Sequence, residues 1–202
     1  MAASIGAGMP IELPRGNMII DIGGGTTEVA ISSLAAVAYS ESLRVAGDEL
    51  DEAIVRYLQK KHQLAIGVIA AEKIKIEGAS AFPIDSLSDS INVVGKDLLT
   101  SIPRSLKLSK EEVREAIEEP ISAIIDSVRR ALEKLPAEFV SDLNETGMVL
   151  TGGGALLKGL DQRIENETGI NVIVAEDPLV SVTMGCGRAL EELAKYKKVF
   201  IN

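Results

Sequence analysis

The chain has 202 residues, 46% of them hydrophobic and 25% charged, with a net charge of −9; that is enough chain for a real core in one large domain or two small ones, and too acidic for broad binding to a phosphate backbone. Aromatics make up 3% with no Trp, so the sequence offers no stacking platform for bases and is expected to have no nucleic-acid partner. A single cysteine, Cys186, and a single histidine, His62, exclude an internal disulfide framework and a Cys/His metal cluster, and the lack of an 18-residue apolar run or a basic-flanked apolar leader gives the expectation of a cytoplasmic protein.

Met18 to Ile22 reads as a buried strand and Val29 to Ser33 as a second, with three glycines in the turn between them; Val37 to Val45 continues the meander. Gly47-Asp48 opens a helix with Asp48 as N-cap. Leu50, Ala53, Ile54, Tyr57 and Leu58 give it an apolar stripe that ends near His62, whose cation suits a helix C-terminus. Ala70 to Ile76 predicts a further helix. Residues 78 to 106 are richer in Ser, Gly and Pro, with short strands at Ile91 to Val94 and Ile102 to Leu108 joined by Gly95-Lys96-Asp97. Ser109 and Glu112 form a capping box, and Pro120 predicts a break before a second apolar stripe running to Leu135. Met148 to Thr151 is a strand, Ala155 to Glu167 a helix capped by Gly169, and Val172 to Ala175 a strand. Asp177 and Pro178 start a last helix that ends near Lys195, before a basic then apolar tail to Asn202. The order predicts α/β or α+β, with residues 47 to about 105 as an inserted unit.

Two strand-to-triple-glycine units carry the chemistry. In Asp21-Ile22-Gly23-Gly24-Gly25-Thr26-Thr27 the glycines leave backbone N–H groups open to an anion, and threonine hydroxyls add donors. Asp21, at the strand end, suits a hydrated divalent cation. In Leu150-Thr151-Gly152-Gly153-Gly154-Ala155 the glycines lead into a helix start, an end suited to phosphate or ribose oxygens. The plain alternative is two tight turns. No Walker loop is present, and Gly6-Ala7-Gly8 fails the dinucleotide pattern. Glu72 and Lys75 share a helix face and read either as a grip on a nucleoside or as a solvated ion pair. Cys186, between Gly185 and Gly187, reads as a small packing residue.

The blocks DIGGGTTEVAIS, AGDELDEAI, AAEKIKIE, EEVREAIEEPISAI and MVLTGGGALLKGLD, in that order, closely resemble the MreB family of bacterial actins, including its Mbl-type members. The resemblance runs from Ile5 to about Leu193. It implies an actin-like ATPase (ribonuclease H-like) lobe with a mixed sheet and flanking helices, plus a small inserted α+β subdomain. It implies subdomain IIA at about 1–46 and 106–202 and subdomain IIB at about 47–105, with the first lobe, IA and IB, absent. It implies ATP or GTP with magnesium: Gly24, Gly25 and Thr26 on phosphates, Asp21 in the magnesium water shell, Glu72, Lys73, Ile74 and Lys75 along the nucleoside, and Gly152, Gly153, Gly154 and Ala155 as the adenosine motif. It further implies slow nucleotide hydrolysis, self-association into filaments under the membrane, RodZ-like and cell-wall elongation partners, and a role in rod shape. The first phosphate hairpin, the glutamate that orients water and the membrane-contacting elements belong to the first lobe, so this chain alone is expected to bind nucleotide weakly and not to turn it over. The other reading is a nucleotide-independent lobe that docks on full-length filaments or RodZ-like partners.

Overall fold

The computed structural model describes residues 1–84, 90–196 and 199. Strands β1 (Asn17–Ile22), β2 (Thr27–Ser33) and β3 (Ala36–Leu43) form an antiparallel meander, and β7 (Met148–Thr151) and β8 (Val172–Val174) add to the free side of β1 in parallel. The result is a mixed five-stranded sheet in the order β3-β2-β1-β7-β8. A second, antiparallel sheet in the order β4-β5-β6 consists of β4 (Leu64–Ala65), β5 (Ser90–Asp97) and β6 (Pro103–Ser109). In sequence, α2 (Gly47–His62) leads from β3 to β4, α3 (Val68–Gly78) lies between β4 and β5, and the long α4 (Lys110–Glu133) follows β6. The remaining helices are α1 (Ala2–Gly6), α5 (Ala137–Thr146), α6 (Leu160–Thr168), α7 (Ser181–Glu191) and α8 (Leu193–Tyr196).

One apolar core joins the two sheets. Met18, Ile20 and Ile22 of β1, Val29 and Ile31 of β2, and Met148 and Leu150 of β7 meet Ile117, Ile121, Ile124 and Val128 of α4, and the same cluster continues through Leu58 and Ile54 of α2 to Leu64, Val93 and Leu108 of the small sheet. Each such side chain contributes about 1.5–3 kcal/mol by leaving water. α4 starts as its sequence demands: the Glu112 amide donates to Ser109 Oγ at 3.2 Å, and the Ser109 amide donates to Glu112 Oε2 at 3.1 Å.

The elements differ from the sequence reading at several places, each for a physical reason. α4 does not break at Pro120, which lies inside the helix on the buried stripe with Val113, Ile117, Ile121 and Ile124. The ring costs one intrahelical bond, and the apolar face on both sides outweighs it. The glycine turn after β7 leads into a short 3-10 turn (Gly153–Leu156), and α6 begins only after Gly159, whose φ of +71° breaks the chain direction. There the segment 79–82 crosses closely: the Ala81 amide donates to the Lys158 carbonyl at 2.9 Å, and a Cβ on Gly159 would lie 2.9 Å from Phe82 Cβ. The last long helix starts at Ser181 rather than Asp177, because the Pro178 carbonyl accepts from the Gly152 amide and Thr151 Oγ1 and so belongs to the end of the sheet. β5 takes in Gly95-Lys96-Asp97, so the hairpin turns at residues 98–102. α1, β4 and α5 have no counterpart in the sequence reading. Most of the predicted basic tail, Lys197, Lys198 and residues 200–202, lies outside the described residues.

Candidate functional site

The turn between β1 and β2 is closed by the Gly23 amide donating to the Thr26 carbonyl at 2.9 Å. Gly24, Gly25 and Thr26 are left exposed at its tip. Thr27 is buried, and its hydroxyl donates to the Val45 carbonyl at 2.7 Å, which fixes β2 to the chain entering α2. α2 then starts directly on the turn: the Gly47 amide donates to the Gly23 carbonyl at 3.1 Å and the Asp48 amide to the Gly24 carbonyl at 2.8 Å. Two of the helix's free first-turn donors are thereby satisfied by the glycine turn itself. The N-cap is Ala46, and Asp48 sits in the first turn with its carboxylate beside Gly24.

The second glycine turn packs against the first. Gly152 has φ of +81°, and a Cβ there would lie 2.3 Å from the Ile22 carbonyl oxygen and 2.5 Å from Asp21 Oδ1. One on Gly154 would lie 2.2 Å from Ile22 Cγ2. Both glycines are required by the close approach of β7's end to β1's end. Gly153, by contrast, meets only Leu179 at 3.4 Å and is free to face a ligand.

Between the two turns and α3 lies a cleft of about 420 Å³. Of the residues singled out from the sequence, Gly24, Glu72, Lys75, Gly153 and Gly154 line it. Gly25 and Thr26 stand at the exposed tip beside it, and Lys73 is exposed on α3. Ile74 is buried in the core, Ala155 is buried behind the turn, and Gly152 is held against Asp21. Asp21 is half-buried at the end of β1, opposite Glu28 on β2; burial, then the Glu28 charge, push its carboxyl above the usual range.

The cleft also contains residues not assigned from the sequence: Gly47, Asp48 and Asp51 from α2, Ile76 and Ala79 from the end of α3, Leu156, Leu157 and Lys158 from the second turn, and Leu179. Lys75 is the hinge of the polar part. Its Nζ donates to Asp51 Oδ2 at 2.7 Å and to the Gly47 carbonyl at 3.0 Å. Burial pushes the Asp51 carboxyl up, Lys75 pulls it back down, and Glu72 and Asp48 push it up again. The signal for the two aspartates was present in the sequence, as an i, i+3 pair directly after a glycine on a helix start. The long-range partner, Lys75, was not visible from spacing. The arrangement offers the exposed glycine turn at one end, an apolar wall at the other, and carboxylates with Lys75 between them.

A mixed sheet whose central strand meets two glycine turns at a cleft is the lobe of an actin-like protein. The sequence matches the family described as MreB/Mbl protein over residues 1–198, and the chain belongs to that family. It is 51% identical to the cell shape-determining protein MreB of Escherichia coli strain K12 over 191 residues, 95% of this chain and 55% of that protein. It is 41% identical to the cell shape-determining protein Mbl of Bacillus subtilis strain 168, over 97% of this chain and 59% of that one. Its structure superposes on MreB5 of Spiroplasma citri bound to ADP with a TM-score of 0.92 at 34% identity, over 100% of this chain and 60% of that one. MreB5 bound to AMPPNP gives the same score. A MamK double helical filament, 21% identical with a TM-score of 0.73, shares the fold. The chain thus spans somewhat over half the length of the relatives it matches.

Proposed function

We propose that this chain carries one wall of the nucleotide cleft of an MreB/Mbl-type protein that self-associates into filaments and determines cell shape. The observation that carries this reading is convergence: two glycine turns far apart in sequence, and the Glu72/Lys75 face of α3, meet around one cleft. In this reading Gly24, Gly25 and Thr26 take phosphate oxygens of ATP or GTP, Glu72 and Lys75 take the nucleoside, and Gly153 and Gly154 let the sugar and base approach the backbone. MreB5 of Spiroplasma citri, similar in structure, binds ADP and AMPPNP, which supports the assignment.

Magnesium fits the residues present. Among the described residues no three His, Cys, Asp or Glu side chains form a metal cluster, and magnesium is typically held by one or two carboxylates, its own waters and phosphate oxygens. Asp21 would hold it through water, next to the turn that takes the phosphates. The ion would supply neutralisation of phosphate charge. In this reading the residues of this chain bind and orient the nucleotide from one side of the cleft. The division into subdomain IIA (about 1–46 and 106–202) and IIB (about 47–105) is part of the same proposal, as are RodZ-like and cell-wall elongation partners, a cytoplasmic location and membrane association of the full-length assembly.

Calorimetric titration of the purified chain with ATP and magnesium, beside an Asp21→Ala variant, tests the reading. Saturable binding weakened in the variant is the expected result. Absence of heat at millimolar nucleotide from the folded chain would overturn it in favour of a lobe that acts by protein docking.

A further inference from the structure

Asp51 is the buried carboxylate of the cleft, 4% exposed, and half of it is unused. Oδ2 accepts from Lys75, but Oδ1 is buried without any hydrogen-bond partner. A buried carboxylate oxygen without a donor is costly. The other charged groups that act on Asp51, Asp48 on its own helix and Glu72 on α3, are carboxylates, acceptors rather than donors. Lys75 is already shared with the Gly47 carbonyl. The missing donor therefore comes from what occupies the cleft.

The position of Asp51 says which part of an occupant it meets. At one end, Gly47 abuts Gly24 of the phosphate turn: a Cβ on Gly47 would lie 3.6 Å from Gly24 Cα. At the other end the wall is apolar, with Ile76, Ala79, Leu156 and Leu157. Asp51 stands between them, one helical turn beyond Asp48. A nucleotide with its phosphates on the glycine turn and its base on the apolar wall places its sugar there, and the donors of a sugar are its hydroxyls.

The geometry points to Asp51 as the residue that reads the sugar: Oδ1 accepts a hydrogen bond from a ribose hydroxyl while Lys75 holds Oδ2 in place. The inference rests on the nucleotide reading of the cleft and adds to it a preference for ribonucleotides. A hydroxyl donating to a charged acceptor in a buried site discriminates by about ten-fold to a hundred-fold against the analogue lacking it.

The test is calorimetry on the whole chain with ATP, 2′-deoxyATP and 3′-deoxyATP, each with magnesium, for wild type, Asp51→Asn and Asp51→Ala, with melting curves to establish folding. Wild type is expected to bind ATP at least about ten-fold more tightly than one of the two deoxynucleotides. Asp51→Ala is expected to bind ATP and that deoxynucleotide equally. Asp51→Asn, which keeps an acceptor for Lys75, supplies the ratio if the alanine variant does not fold. A purely structural role would weaken all three nucleotides together and leave the ratio unchanged, which would overturn the inference, as would a wild type indifferent to both hydroxyls. A folded wild type that binds no ATP would overturn the nucleotide reading itself.

Discussion

Gly6 of α1 and Gly185 of α7 cross in direct backbone contact. A Cβ on Gly6 would lie 1.7 Å from the Ser181 carbonyl oxygen, and one on Gly185 would lie 1.8 Å from the Ala2 carbonyl oxygen. Arg188 closes the crossing by donating from Nη1 to the Ile5 and Gly6 carbonyls at 2.9 and 3.1 Å. Gly185→Ala is therefore expected to destabilise by about 3 kcal/mol through overpacking against backbone. Gly187, in the same helix, faces open space, and Gly187→Ala is expected to stabilise by about 0.5–1 kcal/mol. Denaturant melts of the two variants check the contrast. Equal effects would mean that the crossing is looser than described.

Lys75 neutralises Asp51 where both are largely buried, with side-chain exposures of 17% and 5%. Lys75→Met leaves that carboxylate without its cation and is expected to destabilise by about 3 kcal/mol. Combining it with Asp51→Asn should recover part of the loss, because the buried charge is gone. A double variant as unstable as the sum of the two single ones would show the pair to be uncoupled.

Gly24 has ordinary room for a side chain: its Cβ would meet the Asp48 carboxylate at 3.5 Å. Gly24→Ala should thus fold normally, yet add a methyl to the cleft wall at the first glycine turn, where the proposed reading puts the phosphates. Nucleotide affinity is expected to fall about ten-fold, ~1.4 kcal/mol, with an unchanged melting temperature. Undiminished affinity by calorimetry would place the phosphates elsewhere.

Arg163 of α6 holds Glu118 of α4 with two hydrogen bonds, at 2.7 and 3.1 Å, and this is the main reason the Glu118 carboxyl lies below its usual range. A depressed folded value means that the pair stabilises above the ordinary glutamate value of 4.5, and that this contribution is lost as pH falls below it through the depressed value. Since Glu118 is about half exposed, solvent screening limits the pair to about 0.5–1 kcal/mol. Glu118→Gln should be less stable than wild type by that amount at pH 7, and the two should converge in strong acid. A constant gap across pH would mean that packing, not charge, is at work.

What the sequence made legible was local. The meander β1-β2-β3, the capping box at Ser109 and the strand before Gly152 all declare themselves within a few residues, through alternation or a single side-chain hydrogen bond. Pro120 misled because its penalty is local while the compensation, burial of Ile117, Ile121 and Ile124 against the sheet, is not. The 3-10 turn and the late start of α6 depend on a crossing segment, 79–82, about which residues 153–160 carry no information. The site divides the same way. The glycine turns were readable as anion sites, but that Gly152 and Gly154 are glycine in order to clear Ile22 and Asp21 requires the tertiary contact. Asp51 went unassigned because a charged residue in an amphipathic helix reads as solvated until Lys75 is placed beside it.

The parallel pairing of β1 with β7, Met18 beside Met148 and Asp21 beside Thr151, also sets an order of events when the chain is made. The hairpin of β1 with β2 is complete early, but the other edge of β1 has no partner until Met148 leaves the ribosome, on the order of ten seconds later at ordinary elongation rates. During that interval an apolar strand carries an open row of amides and carbonyls, a template for pairing with another chain. The centre of the finished sheet thus stays open long after its first hairpin has formed, with only the edge strand β8 to be added later, and nascent chains stalled between β3 and β7 are the ones a chaperone would be needed for.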